Sequence, residues 1–149
     1  MQVRQILAIK GKALYTITPD KTVTEAIAIM VENDVGSLVC FDNKRMVGML
    51  TFRELLKAVY QFGAKAGDAA IASIMVRNPQ SVPPDAEINE LRLIMLRSRA
   101  RYLPVMDGEI FLGVVSFHDV ARAVLDEQGF EIRQLKDYIL GHPSVELAT

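Results

Sequence analysis

Residues 48–54 read GMLTFRE and residues 113–119 read GVVSFHD, with every position displaced by the same 65 residues. In each copy a short apolar run ends in a hydroxyl residue, Thr51 or Ser116, and a carboxylate follows three positions later, Glu54 or Asp119. An apolar run of that length suits a strand, and a hydroxyl followed by a carboxylate at that spacing opens a helix. The stretch reads as a strand running straight into a helix, twice.

Comparing residues 6–60 with 71–125 at that displacement, without gaps, gives thirteen identities in 55 pairs, among them Ile6/Ile71, Pro19/Pro84, Met30/Met95, Leu38/Leu103 and Gly48/Gly113. Unrelated segments of ordinary composition match at roughly one position in fifteen, which would give about four. Conservative pairs such as Ile17/Val82 and Val23/Ile88 add to the signal. The unit is too long for a solenoid repeat and indicates two copies of one small domain.

With 149 residues in all, each copy is of a size that buries only about 60% of its unfolded surface, so the two are expected to share a core. Half of the residues are apolar, yet no run approaches the roughly 18 to 20 that a membrane span requires. The start, MQVRQILAIKGK, has neither the apolar core nor the cleavage site of a secretory signal. The single cysteine, Cys40, excludes an internal disulfide, and a cytoplasmic address is expected. A net charge of −1 gives no reason to expect nucleic acid or an anionic membrane as partner.

Along the chain, Val3, Ile6 and Leu7 share a helical face and Gly11 is a terminator, so residues 2–10 form a short leading helix that residues 69–76 repeat. YTIT is a brief strand closed by Pro19 and Asp20, and Thr22 with Glu25 spells a capping box for a helix ending near Asn33. Glu87 stands where Thr22 would repeat, so Asp85 is the cap expected for the second copy. SLVCF and VGML are strands joined by a turn at Asp42, Asn43 and Lys44, followed by a helix over 52–60; YLPVM, FLGVV and a helix through Leu125 repeat them. The expected organisation is a first motif over 1–62, a flexible joint over 63–68 with Asp68 as a cap, a second motif over 69–125, and an amphipathic helix and tail over 126–149. Ile132, Leu135 and Ile139 mark that helix, Gly141 and Pro143 stop it, and its uncovered face makes it a candidate dimer element.

The doubled pattern of Pro-Asp, an Ala-rich helix, a strand carrying LPV and then Gly-apolar-apolar-(Thr/Ser)-x-x-(Asp/Glu) resembles the cystathionine beta-synthase (CBS) domain pair, or Bateman module, over residues 1–125. The tail FEIRQLKDYI is similar to the end of small stand-alone bacterial proteins of that kind. The resemblance implies an α+β fold, a tandem pair of CBS motifs related by a pseudo-twofold, each strand-helix-strand-strand-helix with a short leading helix, plus a C-terminal helix. It also implies a regulatory rather than enzymatic protein, usually a homodimer, that binds an adenosyl compound such as AMP, ADP, ATP, NADH or S-adenosylmethionine between the copies and signals to an effector protein, with no obligatory cofactor.

The residues themselves supply chemistry for such a ligand. A strand turning into a helix presents unpaired N–H groups and a positive dipole end to a phosphate, to which Ser116 adds a hydroxyl. The Asp119 carboxylate can accept bonds from a ribose diol, as acidic residues do in other nucleotide folds. The same spacing is also a self-contained helix cap that needs no ligand. Carried over by position, the resemblance adds Thr18, Val23, Val35 and Gly36 from the first copy and Arg101 and Tyr102 from the second. The mirror-image cleft would use Thr51 and Glu54 with Gly36, Ser37, Pro83 and Ile88, and is expected to be the weaker because glutamate replaces aspartate and no basic residue matches Arg101.

Arg53 and His118 stand beside the two carboxylates and either approach phosphates or face solvent. Cys40, between Val39 and Phe41, reads as a small core residue rather than a nucleophile. One cysteine with two distant histidines supplies no metal cluster, and no phosphate-loop or dinucleotide glycine pattern is present. No catalytic pair of base and nucleophile is visible.

Overall fold

Thr22 opens its helix as its spacing to Glu25 requires: its hydroxyl accepts from the Glu25 amide at 3.2 Å, and the Glu25 carboxylate accepts from the Thr22 amide at 2.8 Å. The computed structural model in which this is seen describes residues 1–11 and 14–140, with backbone alone at 128–132 and 140. In chain order the elements are α1 (Val3–Lys10), β1 (Thr16–Ile17), α2 (Val23–Asn33), β2 (Ser37–Asp42), β3 (Arg45–Thr51), α3 (Phe52–Phe62), a 3-10 helix (Gly63–Asp68), α4 (Ile71–Ile74), β4 (Val76–Arg77), α5 (Ile88–Ser98), β5 (Tyr102–Asp107), β6 (Ile110–Ser116) and α6 (Phe117–Leu140).

The first copy builds a four-stranded sheet ordered β1-β2-β3-β4, with β1 parallel to β2 and the others antiparallel. Its hairpin turns at Asn43 and Lys44, both at positive φ as a two-residue turn demands. The second copy repeats the hairpin in register: Ser37 faces Thr51 as Tyr102 faces Ser116, and both hairpins carry a bulge at the same place, after Cys40 and after Val105. The parallel pairing of Ile17 with Cys40 recurs as the bridge between Val82 and Val105. It shrinks to a single bridge because Pro104 has no N–H to repeat the bond that Val39 donates to the Tyr15 carbonyl.

The leading helices are exchanged. Val3 and Ile6 belong to a core with Val82, Leu91, Leu103 and Val115 of the second copy, whereas Ile71 and Met75 complete the core of Ile17, Val23, Leu38 and Leu50 in the first. Their backbone bonds match pair for pair. Val3 donates to the Ala86 carbonyl at 2.9 Å and Arg4 to that of Pro84 at 2.9 Å; Ile71 donates to Lys21 at 2.8 Å and Ala72 to Pro19 at 2.9 Å. The true counterpart of Ile71 is therefore Val3, and that of Ile74 is Ile6. The gap-free identities Ile6/Ile71 and Ile9/Ile74 are accidents of the comparison.

Three further expectations are corrected. The joint over 63–68 is helical and packed, with Ala66 buried and the Gly67 carbonyl accepting from the Thr24 hydroxyl at 3.0 Å; Asp68 caps nothing, since the residue before α4 is Ala70, without a side-chain cap. Neither does Asp85 cap α5, whose first amide, Ile88, donates to the Met1 carbonyl at 2.9 Å. Finally, α3 stops at Gly63, which takes φ 60°, but its counterpart is Gln128. Without that stop, α6 runs unbroken into the tail, so the C-terminal helix continues the last helix of the repeat. Gly141 and Pro143 lie outside the described residues.

The two sheets meet through Val39, Met49 and Val114, flanked by Phe41 and Phe111 in an edge-to-face pair at 5.3 Å. Both strand-to-helix corners are brought beside this contact.

Candidate functional site

Each corner is a reciprocal cap. Asp119 donates its amide to the Ser116 hydroxyl at 3.0 Å and accepts the Ser116 amide at Oδ2, 2.9 Å away. At the other corner Glu54 Oε1 accepts both the amide and the hydroxyl of Thr51 at 2.8 Å, and the Thr51 oxygen accepts from the Arg53 amide at 3.2 Å. The resemblance between them ends there. Glu54 is buried, while the Asp119 side chain keeps 18% of its surface exposed and holds a second partner, Lys10, whose Nζ lies 2.8 Å from Oδ2 and 2.9 Å from the Val114 carbonyl. Burial pushes the Asp119 carboxyl up, but the Lys10 hydrogen bond, the Ser116 amide and the Lys10 charge more than offset it and hold the group below the ordinary 3.8.

Several of the expected residues converge on the Asp119 corner. Arg101 is exposed, and its carbonyl accepts the first amide of α6, from Phe117, at 2.8 Å. Tyr102 pairs with Ser116 across β5 and β6 and extends its phenol over the backbone of Gly36 in the first copy, where a methyl group in place of the Gly36 hydrogen would strike the ring and the neighbouring Phe52. Gly36 is thus a place of close approach between copies. Ser37 pairs with Thr51 on the opposite side of the same contact.

Others are placed differently. Val23 and Ile88 are core residues and Val35 packs against the edge of the first core, so these positions present backbone rather than free side chains. Thr18 is exposed beyond β1, where its hydroxyl bonds Asp20 and lowers that carboxyl. Pro83, Arg53 and His118 are exposed. Cys40 is fully buried in the first core, and burial, then the Glu54 charge, pushes its thiol up to about 11. A groove of about 460 Å³ lined by Asp42, Asn43, Arg45 and Arg77 lies at the far end of the first sheet, and none of the expected site residues lines it. No cluster of metal-ligating side chains is present among the described residues, and no helix among them is long and apolar enough to cross a membrane.

The residue missed from sequence is Lys10. Its contact with Asp119 spans 109 positions and exists only because α1 packs on the second copy.

Two strand-helix-strand-strand-helix units, the first strand of the second reduced to the Val82 bridge, with exchanged leading segments define a tandem α+β pair. The chain belongs to the CBS family: the family model described as CBS domain matches residues 4–61 and 71–126. An uncharacterized 17.7 kDa protein of Acidianus ambivalens is 34% identical over 84% of this chain and 74% of its own length. Among solved structures, a putative signal-transduction protein with CBS domains from Burkholderia ambifaria superposes with a TM-score of 0.79 at 29% identity, covering 86% of this chain and 96% of that one. The fold is shared at lower identity by CBSX2, solved in complex with AMP (TM-score 0.72, 21%, covering 85% and 98%), and by the CBS domain pair of protein MJ0100, solved with 5′-methylthioadenosine and S-adenosyl-L-methionine (0.73, 23%, covering 85% and 98%).

Proposed function

We propose that this chain is a regulatory, non-enzymatic module that binds an adenosyl compound in the crevice between its two CBS motifs and passes the change to an effector protein. CBS pairs are regulatory modules, and two proteins of this fold have been solved with AMP or with S-adenosylmethionine and methylthioadenosine. The observation that carries the reading is the gathering of Ser116, Asp119, Arg101 and Tyr102 at one corner, with Tyr102 laid against Gly36 of the other copy. The Ser116 hydroxyl hydrogen and the His118 amide would hold a phosphate, the Phe117 and Asp119 amides being bonded to Arg101 and Ser116; Asp119 would hold the ribose, and the backbone around Val35 and Gly36 the base. A ligand held by both copies shifts their arrangement by its differential affinity for the two states. The Thr51–Glu54 corner, with Ser37 and Ile88, is the weaker twin because its carboxylate is buried and spent on the cap.

Apolar side chains left exposed on α3 and α6, including Leu56, Val59, Tyr60 and Leu125, support a homodimer, and a cytoplasmic location belongs to the same reading. Thermal melting with AMP, ADP, ATP, NADH and S-adenosylmethionine tests it: a ligand at a hundred times its Kd stabilises by about 2.7 kcal/mol. An unmoved Tm with all five overturns the reading.

The engagement of both carboxylates in caps favours a second reading, a ligand-free interaction scaffold. It requires that Asp119→Ala cost about 0.5–2 kcal/mol as a cap mutant while changing no small-molecule binding.

A further inference from the structure

The exchanged segments run alike through Leu7 and Met75, which press against Gly113 and Gly48 respectively, and then part. After Ile74 the chain leaves the helix and Val76–Arg77 joins the sheet as β4, with Val76 opposite Met49 and Arg77 opposite Gly48. Antiparallel pairing carries the next residue, Asn78, toward the Arg45 end of β3 and away from Thr51. In the other segment α1 keeps turning as far as Lys10, whose ammonium reaches the opposite end of its strand, onto the Val114 carbonyl and Asp119. One segment thus delivers a cation to its strand-to-helix corner, and its twin delivers none.

An ammonium carries three N–H donors. Two are taken, by Val114 and by Asp119 Oδ2, which leaves one. On Asp119 the bonds from Lys10 and Ser116 both fall on Oδ2, and Oδ1 accepts none among the described residues. The corner therefore offers a free carboxylate oxygen for a diol together with a neutralised charge and a spare donor for an anion. Without Lys10 the carboxylate would repel a phosphate brought to the N-terminal end of α6.

Resting on the reading of the crevice as an adenosyl site, we infer that Lys10 makes the Ser116–Asp119 corner select adenosyl ligands that carry a phosphate, AMP and its higher phosphates, over adenosine, 5′-methylthioadenosine and S-adenosylmethionine. The Thr51–Glu54 corner, with Asn78 in place of Lys10, makes no such selection.

Calorimetric titration of the full chain with AMP and with adenosine tests this. The expected result is AMP binding at least about tenfold tighter, the worth of one charge-assisted hydrogen bond, with the preference falling as salt is raised. Lys10→Met should collapse the ratio toward unity, and Lys10→Arg should keep it, each variant being first shown to melt cooperatively. A Lys10→Met protein that still prefers AMP as strongly overturns the inference and leaves the adenosyl reading standing. Wild-type protein that binds neither compound, nor any other adenosyl ligand, overturns the reading and the inference with it.

Discussion

The amide of Val3 lies 2.9 Å from the carbonyl of Ala86, so the third residue of the chain is built into the second copy, while Ile71, its counterpart, is bonded to Lys21 of the first. Each core is closed by a segment that sequence order assigns to the other half. Ile71 has no exposed surface, and Ile71→Ala should cost about 2–5 kcal/mol, as large-to-small core changes do. Amide hydrogen exchange should show the resulting loosening first among residues of β1, β2 and β3, not in the second copy where Ile71 sits by sequence. Loosening confined to β5 and β6 would show that the segments are not exchanged in solution. Chemical unfolding should remain a single transition, because neither core is complete without the other half.

Gly48 permits β4 to join the sheet. A Cβ there would stand 2.7 Å from the Val76 carbonyl oxygen and 2.9 Å from the Met75 sulfur. The methionine could swing aside, but the carbonyl belongs to the strand. Gly48→Ala should therefore cost about 1–3 kcal/mol, in the range of overpacked cores, and should release the Val76 and Arg77 amides to exchange. A variant as stable as the parent, with those amides still protected, would contradict the close approach.

What the sequence disclosed and withheld follows from the range of the interactions. The corners at Thr51 and Ser116, the Thr22 cap and the Asn43–Lys44 turn are made by residues within four positions of one another, and their chemistry is visible in the letters. So is the doubling, because Leu38 and Leu103 fill equivalent places in separate cores. The exchange of α1 was not visible, because Val3 and Ile6 present the same apolar face whichever core receives them. Lys10 is hidden for the same reason, being one more charged residue near a helix end until α1 is placed against β6. The unbroken α6 is legible in the repeat: Gln128 stands where Gly63 ends α3.

Asp119 carries a pH signature. Its carboxyl is held below the ordinary range in the folded chain, so as pH falls the unfolded chain takes up the proton first. The stabilisation is present above the unfolded value, the ordinary 3.8, and is lost as pH drops through the folded one. Asp119→Asn removes that term. The stability difference between the parent and Asp119→Asn, followed by urea unfolding, should be largest near neutrality and shrink below about pH 4. Lys10→Met, which removes the partner, should shrink it likewise above about pH 4. A difference that stays constant from neutrality to acid would mean that the Lys10 contact is not formed in solution.

Cys40 tests the first core from within. Burial, helped by the charge of Glu54, pushes its thiol up to about 11, and the thiolate is the reactive form. At pH 7 to 8 a thiol of that value is almost wholly protonated, and no reagent reaches it while the side chain is fully enclosed. Labelling by a disulfide reagent should therefore be negligible in the native chain and complete in denaturant. Between those limits its rate should follow the population of opened molecules. Ile71→Ala, which loosens the same core across the exchanged segment, should accelerate labelling, whereas Leu91→Ala, a cavity in the other core, should do so only to the extent that it unfolds the whole chain. Rapid native labelling of the parent would place Cys40 at a surface and contradict the closed first core.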